Sequence, residues 1–189
     1  MKQVVLINAD IDKTPITRAL INAYRAGADR ANAALKEITI ADLKFNPNKP
    51  LLNKLTEGQP DLAEVIATIR WSHHIVVFCP VYKSSINFKI KGFFDRIFLP
   101  DQVFIIRNPA FSNDFSGRSA RIVSILDEAA WQDWQINQRT TYLPIKRTIL
   151  EKCRIKPVQT NTIGHLHSLQ NPYAQKWLNK LESFGEKLI

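Results

Sequence analysis

Apolar positions along the chain follow two alternating rhythms, one of strands and one of helices. Gln3 to Ala9 (QVVLINA) is a short run rich in β-branched residues and predicts a buried strand, after which Thr17 to about Ala31 predicts a helix. Lys36 to Leu43 predicts a second strand, and the polar, proline-broken FNPNKPLLNKL that follows it reads as a surface loop. Asp61 after Pro60 is a helix-cap candidate, with Leu62, Val65, Ile66 and Ile69 at helical spacing up to Trp71. His74 to Val81 (HIVVFCPV) is apolar nearly throughout, as expected of a strand covered on both faces of a parallel sheet. Ile86 to Phe98 is helical by period, Ser119 to Leu126 predicts a fourth strand, and a long loop with Pro100, Pro109 and Gly117 separates them. Tyr142 to Cys153 predicts a further helix, Val158 to Gly164 a fifth strand, and Pro172 to Leu188 a closing helix with proline in its first turn.

Strands alternating with helices predict an α/β fold, a three-layer α/β/α sandwich of flavodoxin type or another doubly wound order with right-handed crossovers. In such sheets ligands bind beyond the carboxyl ends of the strands, where the strand order reverses. The loops after the first, third and fourth strands are therefore expected to carry the function. A length of 189 residues fits one domain over 1–189, and 45% hydrophobic with 23% charged residues fits a folded chain. No segment approaches the roughly 18 continuous apolar residues of a membrane span, and MKQVVLINAD turns acidic too early for a signal peptide. A cytoplasmic location is expected.

The formal charge of +9 would suit nucleic acid, an anionic membrane surface or an anionic cofactor. Its Lys and Arg residues are spread over the whole length, without zinc-finger spacing or an RNA-binding aromatic signature, which argues against nucleic acid. Cys79 and Cys153 lie in apolar patterns and read as core residues. His165 and His167 alternate, yet no third ligand accompanies them, so no metal site is expected; His73 and His74 are expected to end the second helix, where a cation suits the dipole.

The first loop, NADIDKTPITRAL (Asn8 to Leu20), ends at a helix start, the usual place for a phosphate. Thr14 and Thr17 offer hydroxyls, Ile16 and Thr17 offer backbone N–H groups, and Lys13 and Arg18 offer charge. Thr14 or Thr17 capping the helix without any ligand is an equally open reading.

The stretch CPVYKSSINFKIKGFFDRIFLPDQVF, Cys79 to Phe104, resembles the flavodoxin-fold NAD(P)H:quinone oxidoreductases, which carry Leu-Lys-Gly-Trp/Phe-Phe-Asp-Arg-Val-Phe on a helix; Lys91, Gly92, Phe93, Phe94, Asp95, Arg96 and Phe98 match it. The first loop aligns with that family without gaps, and the closing helix with Tyr173, Trp177 and Leu178 is similar to the family's end. The resemblance implies a five-stranded parallel sheet of order 2-1-3-4-5, a bound FMN (FAD as the alternative), NAD(P)H as co-substrate and a quinone or other small aromatic acceptor. It also implies a homodimer whose active sites borrow residues from the partner. Cofactor contacts would fall on Asp10, Thr14, Ile16 and Thr17 for the phosphate, and on Pro80, Val81, Tyr82, Lys83, Ser84, Ser124, Ile125 and Leu126 for the ring.

The sequence also departs from the family. Asp10 stands where relatives have histidine and Pro15 where they have serine. Tyr82-Lys83-Ser84 replaces Trp-Trp-Gly or Trp-Phe-Gly, and Ser124 to Asp127 replaces Thr-Thr-Gly-Gly, so none of the six glycines falls in the three loops. Trp131 and Trp134 in DEAAWQDW could line a substrate pocket, form a dimer interface or pack a surface helix. A flavodoxin-fold paralogue with a weakened or lost flavin site, acting as a binding or regulatory subunit, is the alternative function.

Overall fold

The apolar runs become the strands of one parallel sheet: β1 (Gln3–Asn8), β2 (Ala34–Thr39), β3 (His74–Val81), β4 (Ser119–Leu126) and β5 (Val158–Ile163). They pair in the order 2-1-3-4-5, every pair parallel, which is the flavodoxin order. The structure, a computed structural model, describes residues 1–48, 60–82, 86–98, 115–137 and 144–189. The loop with Pro100 and Pro109, together with Lys83 and Ser84, lies outside the described residues. β3 and β4 occupy the ranges their apolar runs predict, and β3 is buried at all eight positions. β2 is shorter than its pattern: it stops at Thr39, and Ile40–Asp42 folds into a single 3-10 turn.

Side chains alternate across the sheet and so build two cores. Val5, Ile7, Ile75, Val77, Cys79 and Ile122 face α2 (Pro60–Trp71) and α3 (Phe88–Ile97). Val4, Leu6, Val76, Phe78, Val123 and Ile125 face the other side, where α1 (Pro15–Arg30) and the last helix pack. Phe93, Phe94 and Phe98, the aromatic part of the family-like stretch, pack in a row, Phe93 edge-on to Phe94, Phe94 stacked on Phe98 and Phe98 tilted on Phe115, all fully buried. A further helix, α4 (Glu128–Asn137), covers the ends of β3 and β4, and α5 (Pro172–Lys187) closes the chain on an Asn171 cap.

The helix predicted from Tyr142 is described from Pro144, and Pro144–Leu150 has wide, π-type turns. Its core positions explain the widening. Ile145 and Leu150 are both buried, and five residues of regular α-helix would set them about 140° apart, whereas a wider turn returns them to one face. Both cysteines are buried in the core, as expected; burial pushes the Cys79 thiol up to about 12, and Cys153 Sγ donates to the Phe98 carbonyl at 2.9 Å.

His73 and His74 do not end a helix, because α2 stops at Trp71. His73 Nδ1 accepts from the Gln3 N–H at 3.1 Å, and His74 opens β3, with Nδ1 2.7 Å from Ser119 Oγ. Burial, with Lys2 and Arg121 adding to it, pulls the His74 pKa down to about 3, so the ring is uncharged at neutral pH. Since the unfolded chain takes up this proton near pH 6.5 and the folded one does not, stability is complete above that value and falls as pH drops toward 3. Urea unfolding should lose about 2 kcal/mol between pH 6.5 and 5 through this one group, at about 1.4 kcal/mol per unit. The loss should be smaller by that amount in His74→Asn; an equal loss in both would rule this source out.

Candidate functional site

The carboxyl ends of β1, β3 and β4 bring the first loop, Tyr82 and Asp127 to one edge of the sheet, beside the switch in strand order between β1 and β3. Thr14 is the N-cap of α1: its extended backbone precedes Pro15 at the first helical position, and its Oγ1 accepts from the Thr17 N–H at 3.3 Å. Thr17 is buried and its hydroxyl lies 3.0 Å from that of Thr14, while Ile16 packs toward the α1–α5 core. The capping reading of Thr14 is therefore realised.

Asp10 dominates this loop. It is fully buried, and its carboxylate accepts from the Asp12 N–H (3.1 Å), the Thr14 N–H (2.8 Å) and the Thr14 hydroxyl (2.6 Å). Lys13, in the left-handed region at φ 54°, makes the turn that aims the Thr14 N–H back at Asp10. The Asp10 N–H itself donates to Asn8 Oδ1 at 3.0 Å. These are the contacts of Asx-type turns, in which a carboxylate does for backbone N–H groups what a bound anion would do.

Lys13 and Arg18, the cations of the first loop, turn away from Asp10. Lys13 Nζ lies 2.5 Å from Asp42, and Arg18 lies 2.7 Å from Glu37, which also holds Arg25 at 2.6 Å. Glu37 and Asp42, with Asp61 and Glu64, line a groove of about 570 Å³ between β2 and α2, and Lys13, Arg18 and Arg25 are held by these acids. At the strand ends Asp10, Asp12 and Asp127 act together on Tyr82. The Tyr82 phenol is pushed up to about 12, by burial first, then by Asp10, Asp12 with which it shares a hydrogen bond, and Asp127.

Of the other predicted contacts, Pro80, Val81, Ser124, Ile125 and Leu126 sit in strands rather than in open loops. Pro80 and Val81 pair with Ile125 and Leu126 within the sheet, and Ser124 and Ile125 pair onward with Thr162 and Ile163. Asp127 begins α4 at once: its N–H donates to the Val81 carbonyl at 3.1 Å and its Oδ1 accepts from the Ala130 N–H at 2.7 Å. The chain thus enters a capped helix where the family's glycine pair would stand. Trp131 and Trp134 stack at 4.9 Å and 10°, packed on Val81, Leu126 and Ala130. A Cβ at Gly164 would come within 2.8 Å of the Trp131 ring, so this glycine lets the indole lie flat on the loop after β5. Tyr82, 38% exposed, keeps an aromatic face at the edge. His165 and His167 lie side by side at 4.0 Å between ring centres, and no group of three or more metal-ligating side chains forms among the described residues.

The anchoring of a flavin phosphate can be tested against these contacts. The loop has the position and the helix start, but the Asp12 and Thr14 N–H groups and the Thr14 hydroxyl are taken by Asp10, and an acidic side chain in that place does not fit a phosphate beside it. Sequence reading placed Asp10 at the site and missed its capture by Thr14. The signal was present in Asn8-Ala9-Asp10-Ile11-Asp12-Lys13-Thr14, where acidic or amide residues alternate ahead of a threonine. Asp127 as a helix cap was likewise legible from Asp-Glu-Ala-Ala before the tryptophans.

A parallel sheet of this order with its candidate site at the switch point defines the doubly wound, ligand-binding class of α/β proteins. A family model described as flavodoxin-like fold matches residues 2–186, and the chain belongs to that family. No curated protein matches it in sequence. Among solved structures it is similar to Smu.1420 from Streptococcus mutans (18% identity, 99% of this chain and 100% of that one, TM-score 0.72). It is also similar to an NAD(P)H:quinone oxidoreductase from Methanothermobacter marburgensis (15%, 100% and 99%, TM-score 0.75). A third is an FMN-dependent NADH-azoreductase from Bacillus anthracis, solved with FMN (14%, 100% and 99%, TM-score 0.68). At these identities the likeness establishes the fold. No helix among the described residues is long and apolar enough to cross a membrane.

Proposed function

We propose that the protein, a single domain over 1–189, is an NAD(P)H-dependent oxidoreductase of the quinone reductase kind. In this reading it passes two electrons, by way of a flavin, to a quinone or similar small aromatic acceptor, and works as a cytoplasmic homodimer. The observation that carries it is the gathering of the first loop, Tyr82 and the β4 end at one sheet edge. That edge is at the switch point of a fold whose structural neighbours include an NAD(P)H:quinone oxidoreductase and an FMN-dependent NADH-azoreductase. FMN is the flavin of this reading, with FAD the alternative. The flavin, where bound, supplies the redox chemistry, and the chain supplies Tyr82 as an aromatic face and the surrounding edge as its seat.

One observation favours a second reading, a paralogue that has lost its flavin and serves as a binding or regulatory subunit: the loop donors are held by Asp10. Titration of the purified protein with FMN and FAD, followed by NADPH oxidation with menadione, separates the two. Flavin uptake and turnover are expected. A protein that takes up neither flavin and oxidises no NADPH would leave the second reading in place.

A further inference from the structure

A phosphate bound at a helix start is held by the backbone N–H groups and hydroxyls of the first turn. Here the donors of the loop that leads into the helix, the Asp12 and Thr14 N–H groups and the Thr14 hydroxyl of the N-cap, already converge on an anion belonging to the chain. We propose that Asp10 is an internal counter-ligand that closes the phosphate anchor of this fold, so that a flavin bound at the strand ends is held by its ring system and makes no use of its phosphate.

Three observations lead to this. Asp10 is fully buried and both of its carboxylate oxygens are engaged by donors within the next four residues, from Asp12 and Thr14. Pro15 has no N–H, and the Thr17 N–H is turned onto the Thr14 hydroxyl that Asp10 holds, so two of the first-turn positions offer no donor to a ligand. Lys13 and Arg18, which could offset a second negative charge, are paired with Asp42 and Glu37, while Asp12 and Asp127 stand with Asp10 around Tyr82. A phosphate charge brought to about 5 Å from Asp10, at an effective dielectric near 20, would weaken binding on the order of a hundredfold.

The flavin half of the proposal rests on the oxidoreductase reading above; the closure of the loop does not. The test uses the full chain and its Asp10→Asn and Asp10→Ser variants. FMN and riboflavin binding is followed by flavin fluorescence, and inorganic phosphate binding by thermal unfolding. Asp10→Ser guards against a clash of the Asn amide with the N–H groups of Asp12 and Thr14. The unaltered protein should bind FMN and riboflavin within about threefold of each other and gain no stability from phosphate. The variants should bind FMN at least about tenfold tighter, leave riboflavin unchanged and gain a phosphate-dependent rise in Tm.

An unaltered protein that prefers FMN over riboflavin by about tenfold or more would overturn the closed anchor while leaving the oxidoreductase reading intact. Folded variants that gain neither FMN affinity nor phosphate stabilisation would also overturn it. Phosphate stabilisation of the variants with no flavin bound by any form would uphold the closed anchor and remove the oxidoreductase reading.

Discussion

Gly27→Ala and Gly185→Ala should each destabilise the protein by about 3 kcal/mol or more, at the upper end of the range for overpacking and beyond the roughly 1 kcal/mol that alanine returns in helix propensity. The reason lies in how closely α1 and α5 approach one another. A Cβ at Gly27 would stand 1.9 Å from the Glu182 carbonyl oxygen and 2.8 Å from the Glu186 nitrogen, and a Cβ at Gly185 would stand 2.1 Å from the Tyr24 carbonyl oxygen. These atoms are backbone and cannot rotate away, so the helices must separate. Separation loosens Tyr24, Ala28 and Leu181, which are fully buried on this face of the sheet. The ion pairs of Arg30 with Glu182 and Glu186 at the same seam are exposed and cannot hold the helices together once the glycines are filled. Urea denaturation reads the effect as a lower midpoint at unchanged slope, and a Tm lowered by about 6–12 °C accompanies it. The double variant should cost less than the sum of the two, since the sites share one contact. Single variants within about 0.5 kcal/mol of the unaltered protein would refute the close approach.

Arg121→Ala is expected to cost about 3 kcal/mol, because it orphans several acceptors at once and removes a packed cation. Arg121 lies on β4 and is 3% exposed. Its Nε donates to the Ile189 backbone oxygen at 3.0 Å, its two terminal nitrogens reach Asn161 and Gln159, and its guanidinium stacks 3.8 Å over the Phe184 ring. One side chain thereby ties β4, β5 and the end of α5. Burial lowers the Arg121 pKa, a sign that the charge is held at a cost which the fork of hydrogen bonds offsets. Arg121→Met, which keeps the stem without burying a charge, should lose about half as much, and Arg121→Lys should not restore stability because an ammonium cannot match the fork. Full recovery by lysine would indicate that charge alone matters at this position.

The sheet and most of its helices were legible in the chain because their signals are local. β3 and β4 are apolar over their whole lengths, and only strands covered on both faces read that way. The stretch Lys91 to Phe98 was recognisable for a related reason: Phe93, Phe94 and Phe98 fill one core while Lys91 and Asp95 pair at 2.6 Å on the exposed side. Those residues specify packing more than chemistry, which is why they announce the fold strongly and the reaction weakly. β2 ended early because Ile40 is buried from a 3-10 turn, and apolar spacing alone does not separate such a turn from one more residue of strand. His74 escaped a local reading because its charge state is set first by burial in the sheet and then by Lys2 and Arg121, which the folded sheet brings to it.

By itself the sequence determined the alternation of strands and helices, the two-sided burial of the central strands and the place of the candidate site at the end of β1. Each depends on residues close together in the chain, through hydrophobic period, caps and turns. The tertiary structure decided that Lys13 and Arg18 would pair with Asp42 and Glu37, that Trp131 would lie on Gly164, and that two glycines would let α1 and α5 touch. It also decided that Asp10 would be buried, its carboxylate turned onto the N–H groups and hydroxyl of its own loop. Charges find partners by distance in space, and in this chain the partners lie on strands and helices that only the folded sheet brings together.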